Sequence, residues 1–281
     1  MKIHIPIVLT GILLNTALML PISTLASTQT DNELLFGSVA MDIPAVMHRR
    51  LKPLTRYLSD KLGRPVSLKL SPNMGAAIKE VVDRNVDIAY LTPVAYLKAH
   101  VAGNAKIIAK TVTQGKASFQ LMIVVKEDSP YKTVTDLKGK TFAFGDKKAL
   151  LQRATVVGSG INMEDFSRYE FIGHYDNIAR AVLNDDFDAG ILKDTMAFQW
   201  QDKGLRILVA SPALPPYNIT ASGNVDNDTL VKLKDAFLSL DRNNPAHLKI
   251  IKAVDKKYDG FAATNDAEYD VVRKLIKPFN K

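Results

Sequence analysis

Hydrophobic and polar residues alternate along the first part of the chain in the pattern of repeated strand–helix units. Residues 34–40 are a continuous apolar run, which predicts a central strand covered on both faces. A helix is predicted next from the apolar stripe Met47, Leu51, Leu54, Leu58 and Leu62. Pro53 either kinks this helix or marks its start, and Gly63 with Pro65 ends it. Further strands are predicted at 66–70 and 86–91, and helices at 75–84 and 93–101. This alternation is typical of a parallel sheet with right-handed crossovers.

A second series of strand–helix units follows two adjacent strand patterns at 106–112 and 118–125. Its strands are predicted at 141–144, 169–172, 187–192 and 205–210, and its helices at about 150–157, 175–183 and 195–201. The proline-dense segment 211–216 predicts a return linker, followed by a strand at 217–222 and helices at 228–240, 245–254 and 266–276. We therefore expect an α/β protein with two lobes: residues 27–115 with 213–281, and residues 116–212. Ligand clefts in such folds lie at the carboxyl ends of the strands.

The first 26 residues differ in kind from the rest of the chain. Lys2 precedes an apolar run from Ile5 to Leu20, and small residues stand at Thr24 and Ala26. This order predicts a secretory signal peptide cleaved after Ala26, and an uncleaved membrane anchor is the alternative. The run is short for a full membrane span. We therefore expect an exported, periplasmic mature protein.

Composition and motifs narrow the classes of function. The formal net charge is +8 at pH 7, which suits an anionic partner, but the lysines are scattered and no nucleic acid is expected. Cysteine is absent, so no disulfide or thiolate metal site is possible. The five histidines lack metal-ligand spacing, and no catalytic serine or phosphate-loop motif occurs. We expect no cofactor, no metal and no enzymatic activity.

Residues 136–150 are the first candidate for anion chemistry. They predict a surface turn, a buried strand and a tight loop that opens a helix. Such a loop directs backbone N–H groups and the positive end of a helix dipole towards a ligand. We therefore expect part of a small anion to be held here.

Several stretches, in this order and spacing, carry a resemblance to one family. They are residues 58–66, residues 86–96, Asp128-Ser129-Pro130 followed by residues 136–140, and Ala181-Val182 followed by residues 187–190. Together the chain resembles the phosphate/phosphite/phosphonate-binding group of periplasmic solute-binding proteins. The resemblance implies a type 2 periplasmic binding protein fold, in which each lobe is a mostly parallel sheet flanked by helices and the ligand cleft lies between the lobes.

The resemblance also implies a set of ligand-binding residues. In the family, a Ser-Thr-Ser cluster after the 136–140 motif holds the phosphonate, whereas this chain has Lys147 and Lys148 there and no hydroxyl. Two lysines bring positive charge, so an anionic ligand remains expected. They do not reproduce the hydrogen-bond geometry of hydroxyl donors. His174 lies near the family's cleft histidine, with Tyr175 and Asp176 as rivals. The other implied ligand contacts are Thr92, Tyr96, Lys193 and Asp194, the last two standing where the family often has an acidic residue that meets a ligand amine. Gln120 is a further candidate from its place near the predicted crossover, where it either lies at the ligand's edge or belongs to a plain strand.

The resulting hypothesis is a monomeric binding protein that closes two lobes around a small anionic solute and delivers it to an ABC transporter permease. The alternative is a stand-alone sensor that reports the ligand to a membrane histidine kinase or cyclase. An exported enzyme on the same scaffold is a third reading. Trp200 is expected to pack in the protein rather than to stack on a ligand.

Overall fold

Two β-sheets joined by two crossing segments form the framework of the protein. The computed structural model describes Met1, residues 33–39 and residues 43–279, and the predicted signal peptide lies almost entirely outside them. Within the described residues the strands are β1 (Leu34–Val39), β2 (Val66–Ser71), β3 (Ile88–Leu91), β4 (Lys106–Thr113), β5 (Leu121–Lys126), β6 (Thr141–Phe144), β7 (Arg168–Phe171), β8 (Ala189–Lys193), β9 (Leu205–Ala210), β10 (Asn218–Ala221) and β11 (Tyr258–Ala262). The first sheet has the order β11-β4-β10-β3-β1-β2, and the second has the order β7-β6-β8-β5-β9.

Helices follow most of the strands. They are α1 (Pro44–Leu62), α2 (Met74–Val82), α3 (Pro93–Gly103), α4 (Leu150–Gly158), α5 (Tyr175–Leu183), α6 (Asp194–Gln201), α7 (Asn227–Leu238), α8 (Pro245–Val254) and α9 (Asp270–Ile276). Short 3-10 turns lie at Val134–Leu137, Met163–Asp165, Asp266–Tyr269 and Lys277–Phe279. In the described part of the chain, no helix combines the length and apolar character needed to cross a membrane.

The predicted parallel pairing holds where strand–helix–strand units follow one another. β1 is parallel to β2 and β3, and β6 is parallel to β7 and β8. The strands next to the crossing segments pair antiparallel: β10 with β3 and β4, and β5 with β8 and β9. The sheets are therefore mixed, because a strand that returns from the other lobe enters the sheet from its opposite end.

Two local predictions differ from the structure. α1 begins at Pro44, a first-turn position that suits proline, and continues through Pro53, which therefore does not mark its start. β11 was not predicted, because Asp259 and Gly260 interrupt its apolar pattern and both residue types are poor strand formers. β11 pairs with β4 through a register shift between Tyr258 and Gly260.

One apolar cluster joins elements of both sheets. It contains Phe142, Phe144 and Ile191 of the second sheet together with Tyr96 of α3 and Ile107 of β4. Tyr269, Val272 and Ile276, on the segment that ends in α9, belong to the same cluster. α9 thus packs on α4 and shares its apolar cluster with the second sheet, although it follows β11 of the first sheet in the chain. Trp200 packs in a separate cluster on the other face of the second sheet, as predicted.

A polar clasp holds the start of the second sheet together. The two carboxylate oxygens of Asp188 accept hydrogen bonds from the Tyr131 hydroxyl at 2.7 Å and from the Thr141 N–H and hydroxyl at 2.8 and 2.9 Å. Burial raises the pKa of Asp188, but these hydrogen bonds outweigh burial and leave the pKa below its ordinary value. The same interaction raises the pKa of Tyr131 to about 12. The clasp lies directly before Gly190, where a Cβ atom would stand 2.4 Å from Ile178 of α5.

The two sheets match the two predicted stretches of chain in outline. β1–β4, β10 and β11 form the first sheet, and β5–β9 form the second. The lobe boundaries at 115/116 and 212/213 stay a prediction. They do not describe the packing of α9, which follows the first sheet in the chain, on α4 beside the second sheet.

Candidate functional site

The crossing segments meet between the two sheets and form the base of the candidate site. Phe119 and Leu214 exchange two backbone hydrogen bonds, at 3.0 and 2.8 Å, and the Thr111 N–H donates to the Tyr217 carbonyl at 2.9 Å. The Ser211 N–H donates to the Leu121 carbonyl of β5 at 2.8 Å, so the second crossing segment also contacts the second sheet. Groups from both sheets therefore converge beside the crossing segments.

The loop after β6 is bonded within itself in part, and its predicted role as an anion cradle stays a prediction. The Gly145 N–H donates to the side-chain oxygen of Gln152 at 2.8 Å, and Gln152 is 5% exposed. The Lys148 N–H donates to the Asp146 carboxylate at 2.8 Å, and the Ala149 N–H donates to the Asp146 carbonyl at 2.8 Å. A Cβ atom at position 145 would lie 2.8 Å from the Gln152 amide and 3.0 Å from the Gly173 carbonyl, so a larger residue here would displace the Gln152 side chain. The side chains of Asp146 and Gln152 thus occupy two of the N–H groups of this loop.

Lys147 and Lys148 lie on the exposed outside of this loop. In the described part of the chain neither ammonium has a carboxylate within ion-pair distance. The Lys147 carbonyl accepts a bond from the Arg153 guanidinium at 3.2 Å, which fixes the loop backbone and not the lysine side chain. Ligand contact by these lysines stays a prediction.

His174 and Tyr175 open α5. His174 is exposed and occupies the N-cap position, but its side chain makes no capping hydrogen bond. The Tyr175 hydroxyl accepts a long hydrogen bond, 3.3 Å, from the Gln152 amide, and burial raises the pKa of Tyr175. The Tyr175 hydroxyl therefore links the start of α5 to Gln152, which holds the loop after β6. His174 is the exposed residue of this pair. Asp176, the other rival, is also exposed.

Thr92 and Tyr96 are both engaged within the protein. The Thr92 hydroxyl accepts the Ala95 N–H at 3.2 Å and caps α3. Tyr96 is 1% exposed, its hydroxyl donates to Asp266 at 2.7 Å, and its ring packs against Tyr269 with centroids 4.7 Å apart. Burial, with the hydrogen bond to Asp266, raises the pKa of Tyr96 well above its ordinary value. The structure thus places Tyr96 in the packing between α3 and the segment before α9, away from a position open to a ligand.

Gln120, Lys193 and Asp194 are brought together at the start of α6. The Asp194 carboxylate accepts the Gln120 N–H at 3.0 Å and the Thr195 N–H at 2.7 Å. The Gln120 amide donates to the Ser211 carbonyl at 2.6 Å, which ties the two crossing segments to each other. The Lys193 ammonium lies 5.1 Å from the centre of the Phe119 ring. Burial lowers the pKa of Lys193 below its ordinary value.

Three tyrosines that were not predicted as part of the site pack against one another where the second crossing segment enters the first sheet. The rings of Tyr90 and Tyr217 stack with centroids 4.9 Å apart, and the hydroxyls of Tyr90 and Tyr258 are hydrogen-bonded to each other. Burial raises the pKa of Tyr217. Their only sequence signal is position, because Tyr217 follows the proline-dense linker and Tyr90 lies near the end of a predicted strand. Among the described residues, no group of histidines and carboxylates has the arrangement of a metal site.

Comparison with known proteins identifies the family. The model of the family described as "ABC transporter, phosphonate, periplasmic substrate-binding protein" matches residues 36–269, which is more than half of the chain. The phosphate-import protein PhnD of Mycolicibacterium smegmatis is 26% identical over 265 residues, covering 83% of each chain.

Solved structures agree in fold. PhnD1 of Prochlorococcus marinus in complex with methylphosphonate is 19% identical with a TM-score of 0.67, covering 89% of this chain and 99% of that one. A Xanthomonas citri protein bound to ATP is 18% identical with a TM-score of 0.70, covering 87% of this chain and 95% of that one. At these identities the likeness concerns the fold, and the predicted two-lobed type 2 binding-protein fold is confirmed. The chain belongs to the periplasmic substrate-binding proteins of phosphonate ABC transporters.

Proposed function

We propose that this protein binds a small phosphonate- or phosphate-like anion between its two sheets and delivers it to the permease of an ABC transporter. The match of the family model over residues 36–269 is the observation that carries this proposal. The junction of Gln120, Lys193 and Asp194 supports it, because it gathers polar and cationic groups from both crossing segments and from α6. The family acts in transport as a binding component, and no catalytic role is proposed.

Binding is coupled to the arrangement of the lobes in this proposal. A ligand that contacts both lobes makes all of its contacts only when the lobes are closed, so ligand shifts the population towards the closed form. The closed form is then the one that the permease recognises. We further propose a monomer in the periplasm, with residues 1–26 removed after Ala26.

A thermal-unfolding screen of the mature chain tests ligand binding. The panel contains alkylphosphonates, phosphate, phosphate esters, alkylsulfonates and carboxylates. A ligand present at about a hundredfold excess over its Kd stabilises the folded chain by about 2.7 kcal/mol. If no member of the panel raises the transition temperature, the proposal of an anionic ligand is refuted.

One observation favours a sensor as a second candidate. Two N–H groups of the loop after β6 are bonded to the side chains of Gln152 and Asp146, and the loop has no hydroxyl, which supports a ligand other than phosphonate. A sensor with a different ligand needs no such cradle. Genes for a permease and an ATPase beside this gene support transport, whereas a lone gene for a membrane histidine kinase or cyclase supports sensing.

A further inference from the structure

A small polar cavity lies where the first crossing segment meets α6. It has a volume of about 100 Å³ and is lined by Lys116, Ser118, Phe119, Lys193, Asp194 and Thr195, among others. One water needs about 10–15 Å³ of such volume, so the cavity has room for a tetrahedral oxyanion. Its residues come from three places: the turn after β4, the crossing segment and the first turn of α6.

The cavity carries positive charge that the protein leaves unpaired. No carboxylate of residues 33–39 or 43–279 lies within ion-pair distance of the Lys193 or Lys116 ammonium. Lys193 is partly buried, its ammonium lies over the Phe119 ring, and the charges of Asp194 and Asp255 act on it from beyond ion-pair distance. A partly buried ammonium with no carboxylate in direct contact has lost hydration without regaining a full partner. An anion in the cavity would supply that partner.

Hydroxyl donors accompany this charge. The hydroxyls of Ser118 and Thr195 line the cavity and make no hydrogen bond within the described residues. Each hydroxyl can donate one bond to an oxyanion. The single acidic group of the lining, Asp194, has both oxygens bonded to backbone N–H groups, at 2.7 and 3.0 Å. This set of donors is the one that the loop after β6 lacks.

We propose that this cavity, and not the loop after β6, holds the anionic group of the ligand. The inference rests on the proposed function and specifies its site: Lys193 and Lys116 supply charge, and Ser118 and Thr195 supply hydrogen bonds. The ligand class is a small tetrahedral oxyanion, phosphate or an alkylphosphonate. A ligand that also carries an ammonium group is disfavoured, because that group would meet two lysines.

Isothermal titration of the mature chain with methylphosphonate and with inorganic phosphate tests the site. Lys193→Gln removes a charge-assisted hydrogen bond, and we expect the better of the two ligands to bind about 10- to 100-fold more weakly. The control is Lys203→Gln, which removes an exposed lysine that lies over the Trp200 ring at the other end of α6. It should leave the affinity unchanged. Ethylphosphonate should bind more tightly than 2-aminoethylphosphonate.

A second pair of variants separates binding from folding. Ser118→Ala and Thr195→Val remove the hydroxyls and leave Lys193 in place, and together they should weaken binding about 5- to 10-fold or more. Circular dichroism and urea unfolding establish that each variant is folded. If Lys193→Gln and the hydroxyl variants bind as the wild type does, or if only Lys147→Ala with Lys148→Ala loses affinity, this assignment is wrong and the proposed function stands. If the wild type binds neither ligand and no other anion of the panel, both fail.

Discussion

The buried amide of Gln152 offers the sharpest test of how the loop after β6 is held. We consider the substitution Gln152→Ala. It removes the oxygen that accepts the Gly145 N–H at 2.8 Å, and no other acceptor for that N–H is present among the described residues. It also removes the donor to the Tyr175 hydroxyl.

The expected magnitude follows from these two bonds. A buried N–H that loses its acceptor costs about 1–3 kcal/mol. The bond to Tyr175 is long, at 3.3 Å, and contributes little. The void left by the shortened side chain adds to the cost. We therefore expect the free energy of unfolding to fall by about 2–4 kcal/mol in total.

Urea unfolding of the mature chain, followed by circular dichroism, measures this change. Gln152→Met keeps most of the volume without an acceptor, so it should retain most of the loss. The control Gln199→Ala, at an exposed position of α6, should stay within about 0.5 kcal/mol of the wild type. If Gln152→Ala is as mild as this control, the Gly145 N–H has another partner and the account of a self-bonded loop is refuted.

Three further predictions concern the packing around the site. The pKa of Asp188 is lower in the folded than in the unfolded chain, so its contribution to the free energy of unfolding is present above about pH 4 and is lost as the pH falls through the folded pKa. The melting temperature of the wild type should therefore fall between about pH 5 and pH 3, and Asp188→Asn should make this fall shallower. An equally steep fall in the variant would contradict the prediction. Gly190→Ala should lower the free energy of unfolding, measured by urea unfolding, by about 1–3 kcal/mol, because the Cβ of the alanine would lie 2.4 Å from Ile178 of α5. An unchanged free energy would mean that α5 shifts to make room at no cost. Tyr96→Phe should cost about 1 kcal/mol and leave ligand affinity unaltered, because its hydroxyl bonds Asp266; a selective loss of affinity would return Tyr96 to the binding site.

Much of the fold could be predicted because central strands such as β3, β5 and β6 are buried and several helices carry one apolar stripe. The stripe from Tyr175 to Leu183 predicted α5 with its observed bounds. β11 escaped prediction because its pairing with β4, rather than its own residues, makes it a strand. The antiparallel pairs were missed for a related reason: the direction in which a returning strand enters a sheet is not written in its local pattern.

The site was harder to predict because its decisive contacts join distant segments. The sequence shows that the loop after β6 has no hydroxyl residue. The hydrogen bond from Gly145 to Gln152, however, depends on the direction of the first turn of α4. The family resemblance places Tyr96 at the cleft, yet its hydroxyl donates a hydrogen bond to Asp266, 170 residues later in the chain. Ser118 and Thr195 carried no signal, since only the fold brings the crossing segment beside α6.

The position of α9 has a consequence for any attempt to excise the second lobe. Residues 116–212 are contiguous and contain β5–β9, so they look like a fragment that could be expressed alone. Yet Tyr269, Val272 and Ile276 cover part of the apolar face that this fragment would present to water. Expressed alone, the fragment would expose this apolar surface to water and aggregate. A contiguous stretch of this chain is therefore not an independently folding unit, because α9, which lies outside residues 116–212, completes its apolar packing.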